Sequence, residues 1–156
     1  MRFQEQDNSC GAACVKNLML AMGVDIKTEQ EVRKKAGTNR KGTTQGGIKR
    51  ALKAYGHNSE SFQFRLHRSA LRHLEVLLRA GRPVVLCVDD WHHWVVVLAR
   101  FRPTFDGPKT YLVVDPGWDA DKASKEGPCQ ILSEEELKSR WQHGKFGFHG
   151  VGIFPR

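Results

Sequence analysis

The apolar pattern of the chain changes character at Pro83. Before this residue, apolar side chains recur with the spacing of amphipathic helices, and after it β-branched residues gather in short runs at 84–88, 94–98 and 111–114. Helices come first and strands follow, without the regular alternation that a parallel sheet needs. The sequence therefore predicts an α+β fold in which N-terminal helices pack on a mainly antiparallel β-sheet.

Local signals set the bounds of the predicted elements. Thr28 with Glu31 three residues later is typical of a helix N-cap, and Gly23, Gly37 and Gly56 each follow a stretch with helical spacing, as at a helix C-terminus. Together with the periodicity, these signals predict helices over 10–22, 28–35, 44–55, 69–79 and 134–141, and a last strand over about 148–154.

Length and composition fit one globular domain over 1–156. The chain is 40% hydrophobic, and no window approaches the ~18 to 20 continuous apolar residues of a membrane helix. The first residues carry charges where a secretory signal needs an apolar stretch of roughly 7 to 15 residues, so we expect a cytoplasmic protein. The four cysteines form no Cys-x-x-Cys pair, and we expect them to be thiols.

The positive charge is concentrated in the middle of the chain. The formal net charge is +8, and residues 27–82 carry 14 basic and 4 acidic side chains. This basic region could bind an acidic partner, or it could be a set of solvated helix faces. Binding of nucleic acid is disfavoured because no recognition motif or interleaved aromatic platform accompanies the charge.

Cys10 begins the first predicted helix. A thiolate is favoured at a helix N-terminus, because unpaired backbone N–H groups and the helix dipole stabilise negative charge there. Small residues follow Cys10, and a polar turn precedes it. The segment alone leaves two interpretations open, a nucleophile or a small hydrophobic residue of a buried helix.

A histidine pair and an aspartate lie at the ends of two predicted strands. His92 and His93 precede the strand over 94–98, and Asp115 follows the strand over 111–114. If these strands form a hairpin, the start of the first lies beside the end of the second, so that Asp115 lies next to His93. A carboxylate there would orient an imidazole general base, although an Asp-Pro-Gly sequence taken alone favours a turn.

Taken together, these residues resemble the bacteriocin-processing peptidase family, the papain-like peptidase domains of ABC exporters that cleave leader peptides after a double glycine. The resemblance covers nearly the whole chain. It depends on Gln4 with five residues before Cys10, on Cys10-Gly11-Ala12-Ala13 opening a helix, on His93 followed by Trp94 and three valines, and on Asp115-Pro116 ending the next strand.

The resemblance implies a papain-like cysteine peptidase that hydrolyses a peptide or isopeptide bond, after glycine, through a thioester. It implies a triad of Cys10, His93 and Asp115, and an oxyanion donor at Gln4, with Gln6 as the competing candidate. His93 is chosen over His92 because it directly precedes the aromatic–valine run. The exporters continue into membrane helices and a nucleotide-binding domain, and this sequence contains neither, so we expect a standalone domain with a peptide or protein substrate.

The tryptophans divide into two predicted groups. Trp91 and Trp118 flank the strand ends that carry the candidate site, and we predict that they line a substrate groove, with ordinary packing as the alternative. Trp94 and Trp141 are predicted to be core residues.

Other functions use the same residues. An acyltransferase or transglutaminase-like enzyme would share the triad, with an amine in place of water, and a peptide- or nucleic-acid-binding module would rely on the basic region. A zinc site at Cys10 and Cys14 is disfavoured because no second ligand pair exists. We therefore predict neither a metal nor a cofactor.

Overall fold

The computed structural model describes residues 1–117, 127–141 and 150–156. Within them the chain forms five helices and six strands. The helices are α1 (Cys10–Ala21), α2 (Glu29–Ala36), α3 (Gln45–Ala54), α4 (His67–Arg79) and α5 (Glu134–Arg140). The strands are β1 (Ser59–Phe64), β2 (Val84–Val88), β3 (His93–Phe101), β4 (Thr110–Val114), β5 (Cys129–Ser133) and β6 (Gly150–Pro155).

The strands form one sheet in the order β1-β6-β2-β3-β4-β5, and every neighbouring pair is antiparallel. β3 and β4 form the predicted hairpin, with Val96 opposite Val114 and Val97 opposite Val113. The predicted α+β class, with helices on an antiparallel sheet, is confirmed.

Helices cover both faces of the sheet. α1, α2 and α3 pack on one face, and α4 and α5 pack on the other. Alternate residues of β2 enter the two cores: Val85 and Cys87 face α1, whereas Val84, Leu86 and Val88 face α4. Burial on both faces explains why 84–88 is an uninterrupted apolar run.

The predicted helix ends are present. The Thr28 hydroxyl accepts from the backbone N–H of Glu31 at 3.3 Å, and Gly37 ends α2 in the left-handed region with φ 67°. Thr44 caps α3 in the same way, through the N–H of Gly47. One cap was not predicted: Ser133 forms a full capping box with Glu136 at the start of α5.

Two strands were not predicted. β1 and β5 are the edge strands of the sheet, and they are only partly buried. β1 reads Ser-Glu-Ser-Phe-Gln-Phe and lacks the β-branched run that identified the inner strands. The last strand was predicted from about residue 148; β6 begins at Gly150, and residue 148 itself lies outside the described residues.

The core assignments agree with the sequence. Trp94 and Trp141 are buried, as are Cys14 and Cys87. All four cysteines are free thiols, as predicted. Over the described part of the chain, none of the helices has the length and apolar character needed to cross a bilayer.

Candidate active site

The ends of three elements meet at one edge of the fold. α1 begins at Cys10, β3 begins at His93, and β4 ends one residue before Asp115. Cys10 and Asp115 are buried, and the His93 side chain is 18% exposed. The hairpin register and the packing of α1 on β3 therefore bring together a thiol, an imidazole and a carboxylate from distant parts of the sequence.

The Asp115 carboxylate is fixed on both oxygens. His93 Nε2 lies 2.6 Å from Asp115 Oδ1, and the backbone N–H of Gly117 donates to the same oxygen at 3.1 Å. Arg140 Nη1 donates to the other oxygen, Oδ2, at 2.8 Å. The carboxylate therefore holds the imidazole through Nε2, which leaves Nδ1 as the ring nitrogen that can interact with a further group.

The charges of this cluster stabilise one another. Burial lowers the pKa of His93, but the hydrogen bonds to Asp115 and Cys10 and the negative charges of both groups outweigh burial and raise that pKa to about 9. Burial likewise acts to raise the pKa of Asp115, but His93 and Arg140 outweigh it and hold that pKa below its usual value. A protonated His93 beside an ionised Asp115 is thus favoured at neutral pH.

Gly117 allows the close approach of two side chains. The hairpin register, continued beyond Val114, puts Gly117 opposite His93. A Cβ at this position would lie 2.5 Å from His93 Cε1 and 3.1 Å from Gln4 Oε1. Only glycine fits here without displacing the imidazole, so its small size is part of the site.

The other buried cysteines differ from Cys10. Cys14 lies one turn further along α1, and its Sγ is 3.1 Å from the carbonyl oxygen of Trp94. Burial raises the pKa of Cys14 well above its ordinary value and raises that of Cys87 to about 12. Both remain neutral thiols at neutral pH, as suits core residues.

Gln4 is held beside the site by the N-terminal segment. Its backbone N–H donates to the carbonyl of Pro116 at 2.9 Å, and its side-chain Nε2 donates to the carbonyl of Gln6 at 2.9 Å. The flanking residues are also anchored: the side chain of the buried Asn17 bonds both the N–H and the carbonyl of Arg2, and Glu29 accepts from the N–H of Glu5. The structure therefore brings Gln4 to the cluster, whereas Gln6 is exposed.

The loop before His93 has an unusual backbone. Asp89, Asp90 and Trp91 all lie in the left-handed region, with φ 53°, 54° and 71°. Trp91 is 48% exposed, and His92 is also exposed. Trp118, the other predicted groove residue, lies outside the described residues.

Sequence reasoning missed several residues of this cluster. Arg140 and Asp89 carry no local signal, because their proximity depends on how α5 packs against the loop after β2. Asn17 resembled any polar residue of a helix. Gly117 was assigned to a turn, and the hairpin register would have placed it opposite His93. Among the described residues, no three His, Cys, Asp or Glu side chains are grouped so that they could hold a metal ion.

The fold and the cysteine–histidine pair define a class, that of papain-like cysteine hydrolases. The model of the Peptidase C39 family matches residues 1–146. The chain therefore belongs to the Peptidase C39 family, which confirms the resemblance stated from the sequence and the prediction of a cysteine peptidase. No curated protein matches it.

Solved structures with this fold include peptidases of transporters. A double glycine motif protease from an AMS/PCAT transporter, solved in complex with the leader peptide, is 18% identical with a TM-score of 0.67, over 98% of this chain and 88% of the other. The peptidase domain of Streptococcus ComA, a bifunctional ABC transporter of a quorum-sensing pathway, is 19% identical with a TM-score of 0.69, over 99% and 95%. UfSP from C. elegans is 14% identical with a TM-score of 0.64, over 99% of this chain and 32% of the other.

Proposed function

We propose that this chain hydrolyses a peptide bond that follows glycine, with Cys10 as the nucleophile, His93 as its base and Asp115 as the residue that orients the base. The observation that carries the proposal is that His93 interacts with both Asp115 and Cys10. Its Nε2 lies 2.6 Å from Asp115, and a hydrogen bond to Cys10 contributes to its raised pKa. A thiol, an imidazole and a carboxylate in this order are the groups that a cysteine peptidase uses to hydrolyse a peptide bond.

The reaction follows from these contacts. In the reactive state the proton of the Cys10 thiol is held on His93 Nδ1, as the raised pKa of His93 favours, and the thiolate adds to the carbonyl carbon of the scissile bond. The bond to nitrogen then breaks, His93 gives its proton to the leaving amine, and a thioester to Cys10 remains. Water, deprotonated by His93, attacks the thioester and releases the new carboxylate and the Cys10 thiol.

Gln4 is proposed to stabilise the oxyanion together with the backbone N–H of Cys10. A carboxamide has two N–H bonds, and only one of those on Nε2 can serve the carbonyl of Gln6. The other can be offered to a tetrahedral intermediate. One such donor contributes roughly 3 to 4 kcal/mol to transition-state stabilisation.

The proposed substrate is a peptide with a double glycine before the cleaved bond. Support comes from the similar double glycine motif protease, which was solved in complex with the leader peptide. We further propose that Trp91, which is 48% exposed and lies two residues before His93, forms one wall of the groove for this peptide. An isopeptide bond after glycine would present the same acyl group.

An acidic partner is proposed for the basic region. Over residues 27–57 the sequence has nine Lys and Arg side chains and two Glu. Glu29 is buried and Glu31 lies 4.0 Å from Lys35, so little negative charge opposes the lysines and arginines of α2 and α3. Lys49 and Lys53 also line one cleft of about 550 Å³, in which Arg156 is paired with Glu60. An acidic segment of the substrate protein fits this surface.

Two expectations from the sequence stay predictions. One is a single domain over 1–156, and the other is a cytoplasmic location. Four free cysteines support a reducing compartment for the second.

The experiment is a cleavage assay with matched synthetic peptides that differ only at a central Gly-Gly, Gly-Ala or Ala-Ala. Wild type is compared with Cys10→Ala and with Cys129→Ala, a control that removes a thiol from β5 instead. We expect wild type and Cys129→Ala to cut after the second glycine of Gly-Gly, and Cys10→Ala to cut nothing. Cleavage that survives Cys10→Ala would overturn the proposal.

The same assay with an added primary amine separates hydrolysis from acyl transfer. Because both outcomes share the thioester, the product alone distinguishes them. A free carboxylate as the main product at modest amine concentration supports a hydrolase. An amide as the main product indicates an acyltransferase on the same cysteine.

A further inference from the structure

Arg140, the last residue of α5, joins two carboxylates. Its Nη1 donates to Asp115 Oδ2 at 2.8 Å, while Nε and Nη2 donate to the two oxygens of Asp89 at 3.1 and 2.6 Å. The backbone N–H of Asp89 also donates to the carbonyl of Arg140 at 2.8 Å. One guanidinium therefore connects the end of β4 to the loop after β2.

That loop needs external support. The backbone of Asp89, Asp90 and Trp91 lies in the left-handed region, which is unfavourable for residues with a side chain and persists only where the surroundings impose it. The loop leads within two residues to His93. The bidentate contact and the backbone bond to Arg140 fix its first residue and thereby the start of β3.

The orientation of the Asp115 carboxylate also depends on the Arg140 guanidinium. The Asp115 side chain is 6% exposed, and Arg140 is the donor to Oδ2 while His93 and Gly117 serve Oδ1. Removing one partner of a buried ion pair leaves the other charge poorly solvated, so the remaining group rotates towards water or takes up a proton. Either response would weaken the bond from Asp115 to His93.

We propose that Arg140 is a positioning residue. Its guanidinium group holds Asp115 in the orientation that contacts His93, and it connects the strained loop before His93 to the end of β4. The inference rests on the proposed function, since it concerns how that site is held. The charges then alternate in sign from His93 through Asp115 and Arg140 to Asp89, and Cys10 lies at the His93 end of this row.

Two effects of losing Arg140 on the pKa of His93 have opposite signs. Loss of a nearby cation alone would raise that pKa, whereas loss of the 2.6 Å bond to Asp115 would lower it. The titratable groups around the pair are Cys10 and Cys14 of α1, Cys87 of β2, Asp89 of the loop and Arg140 itself. Because direct contact with Asp115 is the main support of the protonated ring, we expect the pKa to fall.

The test is an NMR titration of the histidine Cε1–H resonances, with the His93 signal assigned by its absence in His93→Ala. Arg140→Met removes the charge, and Arg140→Lys keeps it but cannot reach both carboxylates with a planar fork. Arg79→Met is the matched control, because Arg79 also ends its helix and also lies near a buried carboxylate, Glu75, at 3.5 Å. Alkylation of Cys10 at pH 7 is measured on the same samples.

We expect Arg140→Met to lower the pKa of His93 by at least about one unit and to slow alkylation roughly tenfold, with Arg140→Lys intermediate and Arg79→Met unchanged. If Arg140→Met does not fold, Arg140→Lys and Asp89→Asn carry the test, with a smaller fall in each. An unchanged or raised pKa in the folded variants would overturn the inference. A wild-type Cys10 that reacts no faster than a free thiol would instead overturn the proposed function.

Discussion

Two buried carboxylates occupy different parts of this fold. Asp115, at the end of β4, contacts a histidine and an arginine beside Cys10. Glu75, on α4 across the sheet, lies 2.6 Å from Lys109, 3.5 Å from Arg79 and 3.6 Å from Arg100, and 3.4 Å from the Tyr111 hydroxyl. Both are ordinary solutions to the burial of a negative charge, which must be paired.

The difference lies in the pKa values of the partners. The four partners of Glu75 are a lysine, two arginines and a tyrosine, residue types that do not exchange protons near neutral pH, so this cluster keeps its charges there and serves packing. Asp115 instead holds a histidine, whose pKa is shifted to about 9 and whose other nitrogen can exchange a proton with a thiol. Chemistry is therefore expected only from the cluster in which a carboxylate controls a proton carrier.

The largest effect should come from replacing the carboxylate of the Asp115 cluster. Asp115→Asn keeps the size of the side chain but removes the charge that supports a protonated His93. We expect cleavage of a Gly-Gly peptide to fall by up to about 10⁴-fold in kcat/KM. An Asp115→Asn enzyme within threefold of wild type would remove the distinction between the two clusters.

A smaller effect is expected from Gly117→Ala. The added methyl group would lie 2.5 Å from His93 Cε1, so the ring must move, and a displacement near 1 Å can cost about 10²-fold in rate. Gly46→Ala is the control, because the nearest atom to its new Cβ would be 3.8 Å away. Equal values of kcat/KM for the two variants would contradict the prediction, because they would show that the His93 ring can accommodate the added methyl group without loss of activity.

The pH dependence of stability should also separate the two clusters. The pKa of His93 is raised from 6.5 to about 9 in the folded protein. Protonated His93 therefore stabilises the fold fully below pH 6.5, and this stabilisation is lost as the pH rises to 9. We expect the free energy of unfolding to decrease over this range by on the order of 2 kcal/mol more in wild type than in His93→Gln. Denaturant titrations at several pH values measure it, and identical pH profiles would contradict the prediction.

The smallest effect on the site is expected from Glu75→Gln. Loss of this charge leaves Lys109 and Arg100 without their buried partner and should lower the free energy of unfolding by about 1 to 3 kcal/mol. Alkylation of Cys10 should stay within about twofold of wild type, because the change lies across the sheet. A large loss of reactivity here would mean that the two clusters are coupled.

The sequence predicted most of the fold for identifiable reasons. The inner strands are covered on both faces and therefore read as apolar runs, and the helices begin and end with capping residues that are visible locally. The edge strands β1 and β5 were missed because half-exposed strands carry polar residues, which resemble loops.

Some residues of the candidate site could be predicted from the sequence and others could not. The adjacency of His93 and Asp115 followed from one hairpin, because register relates two strand ends without knowledge of the rest of the fold. Arg140 could not be predicted, since its position depends on α5 docking against the loop at Asp89. Contacts within one supersecondary unit are thus accessible from sequence, and contacts between units are not.

Labelling of the native protein with iodoacetamide at neutral pH, followed by measurement of the intact mass, tests directly whether Cys10 is an activated nucleophile. Wild type is compared with Cys10→Ala and His93→Ala. We predict one fast label in wild type, none in Cys10→Ala, and labelling at the rate of an ordinary thiol in His93→Ala. A Cys10 that reacts no faster than a free thiol, and equally fast without His93, would contradict the claim that this cluster is an active site.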